Sequence, residues 1–384
     1  MTEDNLRIGF IPLVDAAALI VAVDKGFAAR EGLAVELVRE VSWSNVRDKL
    51  NIGLFDAAHL LAPVAVASSL GVGHVRVPLL VPYMLGLNGN AITVSPELYD
   101  ALAAAADGDL RDPTISARAL AVVIANRRRQ GRTPVIFGMT FPFSTHNYQL
   151  RFWMAAGGVD PDEDAQLVVL PPPYMVDSLA SHQVDGFCVG APWNSVAVEM
   201  GIGKILHFGC DIVARAPEKV LALRAAWAAN RADTLARLIR AIGGAATFLG
   251  DPDNLDEVAA LMSAPHRVGV VPQLIRSALE GRLRVALGGA SLPAPNYILI
   301  GRDDAARPES VHAAWLYAQM VRWNQAPFSP ELLAAAKACF RPDIYDAVVA
   351  PSAPPPLTRD PVGAFAGPLF DADDIAGYVA AFKT

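Results

Sequence analysis

Hydrophobic and polar positions along this chain follow two rhythms in turn. Leu6–Pro12 and Asp56–Leu60 are short apolar runs, and Leu33–Arg39 alternates with period two, so all three predict strands. Ala16–Arg30 and Asn45–Ile52 carry helical spacing, and Pro63–Leu70 is an apolar segment opened by a proline. Asp15 stands where a helix N-cap belongs, and Gly32 and Gly53 stand where helices stop. Strands alternating with helices at this pace predict a mostly parallel sheet covered on both faces. The loops Pro12–Asp15, Ser42–Asn45 and Leu60–Pro63 then share the carboxyl end of the strands, where such sheets bind ligands.

The pattern restarts further on. Val75–Tyr83 and Asn90–Ser95 read as strands joined through Leu87-Asn88-Gly89, and Ala101–Ala106 and Ile115–Arg129 as helices. Strand Val135–Met139 leads into a helix at Ser144–Ala156. After it, strands at Gln166–Leu170, Asp185–Val189 and Ile205–Phe208 alternate with helices at Met175–His182 and Trp193–Met200. The chain turns back at Ala216-Pro217-Glu218-Lys219 into a strand, Val220–Ala225. Beyond it the pattern is mainly helical, at Ala232–Leu249, Asn254–Met262, Val271–Glu280, Ser310–Trp323, Pro330–Ala338 and Asp371–Phe382, with a proline-rich connector at Val349–Pro356. Two α/β units with chain crossings near 91–95 and 211–219 predict a clamp. Residues 1–92 and 217–384 form one lobe, residues 93–216 the other, and the ligand lies in the cleft between them. A single large doubly wound domain fits the same periodicity.

Composition narrows the function classes. The 384 residues are 53% hydrophobic and 18% charged, a globular balance, and the net charge of −7 speaks against a nucleic-acid surface. No apolar run reaches the roughly 18 residues of a membrane span. The start, Met1 to Arg7, is acidic and enters a strand at once, with no basic or apolar leader, which predicts a cytoplasmic protein. Cys188, Cys210 and Cys339 are scattered and fit reduced core thiols. The seven histidines lack metal-ligand spacing, and there is no glycine-rich phosphate loop or dinucleotide fingerprint. No metal, cofactor or catalytic residue is expected.

The candidate chemistry is that of an anion site. Ser144 or Thr145 can cap the helix after Val135–Met139, which puts His146 in its first turn, beside unpaired N–H groups and the positive end of the macrodipole. Trp43 can present an indole N–H and a flat wall, or be core; Asn90 can donate from its amide, or shape a turn. Lys219 can supply countercharge, or be a solvated surface charge. Arg47 can pair with Asp15 or Asp56 and tie two loops, or lie on a solvated helix face.

Many ordered motifs resemble one family. They are Ile11-Pro12-Leu13-x-Asp15-Ala16-Ala17, Ser42-Trp43-x-Asn45-x-Arg47-Asp48, Asp56-Ala57-Ala58-His59, Leu87-Asn88-Gly89-x-Ala91-Ile92 and Thr145-His146-Asn147. Arg151-x-Trp153-x-Ala155-Ala156-Gly157-Gly158, Pro171-Pro172-Pro173, Asp185-Gly186-Phe187-Cys188-Val189-Gly190-x-Pro192-Trp193-Asn194 and Pro217-Glu218-Lys219 complete the set. Together, over about residues 6 to 260, they resemble the nitrate/nitrite-binding family of ABC-type solute receptors, with bicarbonate receptors as close relatives. The resemblance implies an α/β type II periplasmic-binding-protein-like fold with an oxyanion between two lobes and a mainly helical C-terminal part. It implies Trp43, Asn90, His146 and Lys219 as ligand contacts, with Asp15, Arg47, Thr145 and Gly190 behind them. Two positions depart from the family pattern: Asn90 replaces a glutamine, and Ala191 replaces an acid before Pro192-Trp193.

A buried anion needs countercharge. Lys219, helped by a protonated His146, would supply it, which favours nitrate or nitrite over bicarbonate. The start without a leader resembles the cytosolic nitrate/nitrite sensors of the NasS type. That resemblance implies a NasT-like ANTAR-domain antiterminator as partner, released when the cleft closes on ligand. The alternative is the receptor of a nitrate, nitrite or bicarbonate ABC transporter. A third class, pyrimidine-synthesis enzymes on the same architecture, uses clustered Cys and His chemistry that this sequence lacks.

Overall fold

The computed structural model describes residues 4–349 and 362–382. All but the first residue of the connector expected at Val349–Pro356 lies outside the described residues.

The first lobe is built on a six-stranded sheet. Strands β1 (Asp4–Phe10), β2 (Leu33–Arg39) and β3 (Ala57–Leu61) run parallel, and β3 is buried over its whole length, as a strand with both faces covered must be. β4 (Leu79–Asn88) and β10 (Pro217–Arg224) join antiparallel, giving the order β13-β4-β10-β3-β1-β2 once the short β13 (Ile298–Leu299) pairs with β4. The second lobe is a five-stranded sheet in the order β7-β6-β8-β5-β9. Its strands are β5 (Asn90–Val94), β6 (Val135–Met139), β7 (Ala165–Val169), β8 (Gly186–Gly190) and β9 (Lys204–Phe208). Only β5 is antiparallel to its neighbours. Two sheets with separate hydrogen-bond ladders decide for the clamp over a single doubly wound domain.

The first crossing is tighter than the pattern predicts. β4 ends at Asn88 and β5 begins at Asn90, so the lobes part at Gly89, and the boundary expected after Ile92 falls inside a strand of the second lobe. Gly89 has φ +96° and Asn88 φ +61°, a sharp left-handed turn that glycine adopts freely and asparagine tolerates. The Asn88 amide donates to the carbonyls of Ala214 and Asn296 at 2.8 and 2.9 Å and accepts the Ala216 N–H at 2.7 Å. One side chain therefore ties both crossings together. The second crossing ends at Pro217, where β10 starts, so Pro217-Glu218-Lys219 is strand rather than turn.

Helix limits differ in explicable ways. The segment expected as one helix over Ala16–Arg30 breaks at Gly26, φ +72°, into Ala17–Asp24 and Phe27–Arg30. Asp15 does not cap it, because its carboxylate is engaged elsewhere. The last helix is Ile375–Ala380, capped by Asp374 accepting from the Gly377 N–H, rather than Asp371–Phe382. Two short strands, β11 (Arg282–Arg284) and β12 (Ser291–Pro293), interrupt the helical tail. That tail packs its helices Ser310–Arg322 and Pro330–Cys339 on Ala62–Leu70 of the first lobe. It also reaches the second lobe: Trp315 stacks on Phe152, and the Tyr148 hydroxyl donates to Gln325 at 2.8 Å. No helix among the described residues is long and apolar enough to cross a membrane.

The helix Thr145–Ala156 is held against Pro113–Arg129 through Gly157. A Cβ there would lie 2.2 Å from the Ala117 carbonyl oxygen and 2.3 Å from its carbon, and backbone does not yield as a side chain does. Gly157→Ala should therefore lower the unfolding free energy by about 1–3 kcal/mol, the cost of overpacking, as read from urea denaturation.

Candidate ligand site between the lobes

The first lobe supplies a charged floor. Asp15 lies in the turn Val14–Ala16 after β1, is 1% exposed, and accepts from His59 of β3 at 2.8 Å. The Ile11 N–H donates to the Nδ1 of that histidine, so its proton is on Nε2 and faces Asp15. Trp43 opens the helix Trp43–Asn51, two residues earlier than its pattern suggests, because Ser42 caps it by accepting from the Asn45 N–H. The indole ring is buried, with its centroid 5.4 Å from the His59 ring and 5.4 Å from Lys219 Nζ.

β10 carries the rest of the floor. Its register against β4 shifts between Pro217 and Lys219 and again between Lys219 and Val220. In a regular strand neighbours point to opposite faces, and a bulge re-aims them. Here adjacent Glu218 and Lys219 meet, with Nζ 2.7 Å from Glu218 Oε1 and 3.0 Å from Asp15 Oδ2, all three fully buried.

The second lobe closes over this floor with neutral groups. Ser144 caps the helix Thr145–Ala156 by accepting from the Asn147 N–H, as expected, and places His146 in its first turn. His146 Nδ1 lies 3.1 Å from Thr140 Oγ1 and 3.5 Å from Glu218 Oε1. The Thr145 hydroxyl donates across the cleft to the Pro217 carbonyl at 2.9 Å. Asn90, first in β5, donates from Nδ2 to Glu218 Oε2 at 2.9 Å and to Gln149 Oε1 at 3.1 Å. Gly190 ends β8 beside them, where a methyl group would come within 3.5 Å of Asp15 Oδ2 and 3.6 Å of Asn90 Oδ1. A backbone bond from the Val14 N–H to the Ala191 carbonyl at 2.9 Å adds to the closure.

Trp43, Asn90, His146 and Lys219 are thus brought to one place from both lobes, with Asp15, Thr145 and Gly190 beside them. Four expectations need correction. Lys219 is not a lone ammonium: two carboxylates already flank it, because the bulge turns Glu218 inward. Asn90 has spent its N–H donors on Glu218 and Gln149, so it offers the cleft its carbonyl oxygen. Arg47 pairs with adjacent Asp48 at 2.7 Å and lies over the Phe141 ring of the second lobe, rather than meeting Asp15 or Asp56. His146 is neutral at pH 7: burial pulls it down to about 4, only partly opposed by Glu218.

Burial would raise Asp15, but Lys219 and the His59 hydrogen bond outweigh it and hold the carboxyl down to about 2. Burial likewise works against charged Lys219, and Asp15 and Glu218 overcome it and raise the amine. Desolvation lowers His59 despite Asp15. Three buried polar atoms here have no hydrogen-bond or ion-pair partner in the protein: Trp43 Nε1, His146 Nε2 and Asn90 Oδ1. Native interiors rarely strand such groups, and three together mark a candidate place for a small polar ligand. Cys188 and Cys210 are no activated nucleophiles, since burial pushes both thiols up, Cys210 to about 12.

The pattern analysis missed Glu218, His59 and Gln149. Glu218 and His59 stood inside quoted motifs, as polar residues within otherwise apolar strands. Gln149 carried no signal of its own and joins the site only because it lies one helical turn after His146.

Comparison with known proteins agrees with this architecture. The model of the NMT1-like family matches residues 2–263. The chain is 30% identical over 349 residues to the nitrate/nitrite binding protein NrtA of Synechococcus elongatus, covering 89% of this chain and 76% of that protein. It is 31% identical to the nitrate import ATP-binding protein NrtC of Synechocystis over 98% of its own length, and 33% identical to the bicarbonate transport ATP-binding protein CmpC of Synechococcus elongatus over 84%. It spans only about half of those two relatives, 55% and 46%. The crystal structure of the periplasmic nitrate-binding protein NrtA from Synechocystis superimposes with a TM-score of 0.88 at 27% identity, covering 100% of this chain and 99% of that one. A ligand-binding component of an ABC-type import system from Staphylococcus aureus shares the fold, with a TM-score of 0.65 at 16% identity over 90% of this chain and 99% of that one.

Removing the ammonium should leave two carboxylates buried against each other. Lys219→Ala is expected to cost about 3–5 kcal/mol of stability at neutral pH, the usual penalty for breaking a buried ion pair. In the variant, burial raises the folded-state pKa of Asp15 above its unfolded value, so the native state binds the extra proton. The deficit should therefore shrink as pH falls from 7 to 5, measured by thermal unfolding of both proteins across that range.

Proposed function

The chain belongs to the NMT1-like family, as a solute-binding protein of the NrtA/CmpA type, and on that premise we propose that it captures nitrate or nitrite between its lobes and delivers it to a membrane transport complex. One observation carries the ligand class. Unpartnered ring nitrogens from opposite lobes, Trp43 Nε1 and His146 Nε2, are buried in the site that holds the Lys219 ammonium. A small planar anion offers several equivalent oxygens to such donors, and closure of the lobes around it is the hinge motion that two chain crossings permit.

A second observation favours a second ligand. Asn90 Oδ1 is an unpartnered acceptor, and nitrate has no hydrogen to offer it. Bicarbonate has one, on its hydroxyl. The relatives named for bicarbonate transport point the same way.

The role as a transport receptor rests on the relatives, which are named as parts of nitrate and bicarbonate importers. That role would put the protein outside the cytoplasmic membrane, whereas the sequence-based expectation has it in the cytoplasm. The sensor role expected from the sequence, cytoplasmic and paired with an ANTAR-domain antiterminator, uses the same closure: ligand that favours the shut form disfavours any partner bound to the open one. No contact in the fold favours that role over transport.

Titration of the purified chain with nitrate, nitrite, bicarbonate and chloride, followed by thermal shift and calorimetry, tests the ligand. Nitrate and nitrite should raise the melting temperature and chloride should not; a response to bicarbonate alone moves the assignment to the second reading. Lys219→Ala and His146→Ala should each weaken binding by about 1–3 kcal/mol, the range for a hydrogen bond to a charged group. Deletion in the native host decides the role. Lost nitrate uptake supports the receptor, and intact uptake with lost induction of assimilation genes supports the sensor.

A further inference from the structure

Resting on that reading of the ligand, we infer that the cleft takes up one proton with each monovalent anion and holds it on His146, between Glu218 and the anion. The charge count drives the argument. Asp15 and Glu218 are two carboxylates against the single ammonium of Lys219, joined to it at 3.0 and 2.7 Å and sealed from water. A bare anion would leave two uncompensated negative charges inside a shut cleft, where burial of one is already costly. A cation must come with it.

The place where a metal ion would bridge the two carboxylates is held by the ammonium itself. Glu218 accepts from Lys219 on Oε1 and from Asn90 on Oε2. The imidazole of His146 remains. Its Nδ1 faces Glu218 and the Thr140 hydroxyl, and its Nε2 has no partner. An imidazolium donates from both nitrogens, so protonation gives one N–H to Glu218 and one to the anion. The charged groups acting on it are Glu218 and Lys219 from β10 and Asp15 from the turn after β1, and Asp15 is in turn held by His59 of β3. Without an anion, burial keeps His146 neutral down to about pH 4. An anion at Nε2 favours the charged form and raises that value. Between the two values the complex holds one proton more than the free protein, so affinity rises as pH falls, by tenfold per pH unit at most. The proton comes from solvent and leaves with the anion.

The test is calorimetry of the full chain with sodium nitrate and sodium nitrite at pH 7, in phosphate and in Tris, with EDTA present, together with Kd from pH 5 to 8.5. The binding enthalpy should change with the ionisation enthalpy of the buffer, with a slope approaching one proton taken up, and Kd should weaken by up to tenfold per unit as pH rises between the two values of His146. Glu218→Gln removes the surplus carboxylate. It should flatten the pH dependence and bind more tightly than the native chain at pH 8.5, which loss of a merely structural glutamate would not do. Should that variant misfold, the buffer series on the native chain decides alone. Binding with no buffer dependence and a flat Kd, or binding that requires added Ca2+ and takes up no proton, overturns the inference while leaving the ligand reading intact. Failure of both anions to bind overturns the ligand reading and this inference with it.

Discussion

A buried ammonium held between two carboxylates is the interaction on which the rest of this structure depends. At about 3 Å and an effective dielectric near 20, each Lys219 contact is worth on the order of 5 kcal/mol of attraction. Stripping water from each ion costs several kcal/mol. The two effects are of the same size, so Asp15, Glu218 and Lys219 contribute little net stability. They give the cleft a fixed field instead, and everything that enters must match a floor that already carries an excess of negative charge.

The geometry that makes this floor is a fault in a regular strand. Without the register shifts at Pro217–Val220, Glu218 and Lys219 would face opposite sides of β10, and only one of them would reach the cleft. The same short stretch receives the Thr145 hydroxyl and the Asn90 amide from the other lobe. Floor, interlobe latch and the end of the second crossing therefore share three residues. A few residues earlier, the Asn88 amide pins the crossings side by side, so the lobes hinge about a single seam rather than two independent strands.

Element order and type were legible from periodicity because the sheets are conventionally patterned: Leu33–Arg39, Val135–Met139 and Ala232–Leu249 read from the sequence with the limits they have in the structure. The capped helix that carries His146 was legible for the same local reason. What escaped was whatever depends on register. A one-residue bulge leaves no mark on hydrophobic spacing, so Glu218 was hidden, and with it the true charge of the site and the turned amide of Asn90. The lobe boundary slipped by three residues because Asn90–Val94 is buried on both faces and looks the same in either sheet. Arg47 was misplaced because proximity in a loop predicts an acidic partner, whereas the fold offers it an aromatic ring across the cleft.

The division of labour between lobes bears on why closure needs a ligand. Every charged group of the site comes from the first lobe, and in an open cleft water solvates them. The second lobe brings a helix N-terminus, two amides and an imidazole. The direct bonds between the lobes include those from Asn90 to Glu218, Thr145 to Pro217, Val14 to Ala191 and Tyr148 to Gln325. Such bonds contribute about 0.5–1.5 kcal/mol each, somewhat more for the one to a carboxylate. Shutting without a ligand strands three polar atoms, each at a cost of about 1–3 kcal/mol. The stranded atoms offset part of what the latch contributes, so a polar group that satisfies Trp43, His146 and Asn90 together would favour the shut form. A ligand with no hydrogen to offer leaves the Asn90 acceptor stranded. The Asn90 carbonyl oxygen, one methylene shorter than the glutamine of the family pattern, therefore weighs on the balance between open and shut alongside the ammonium.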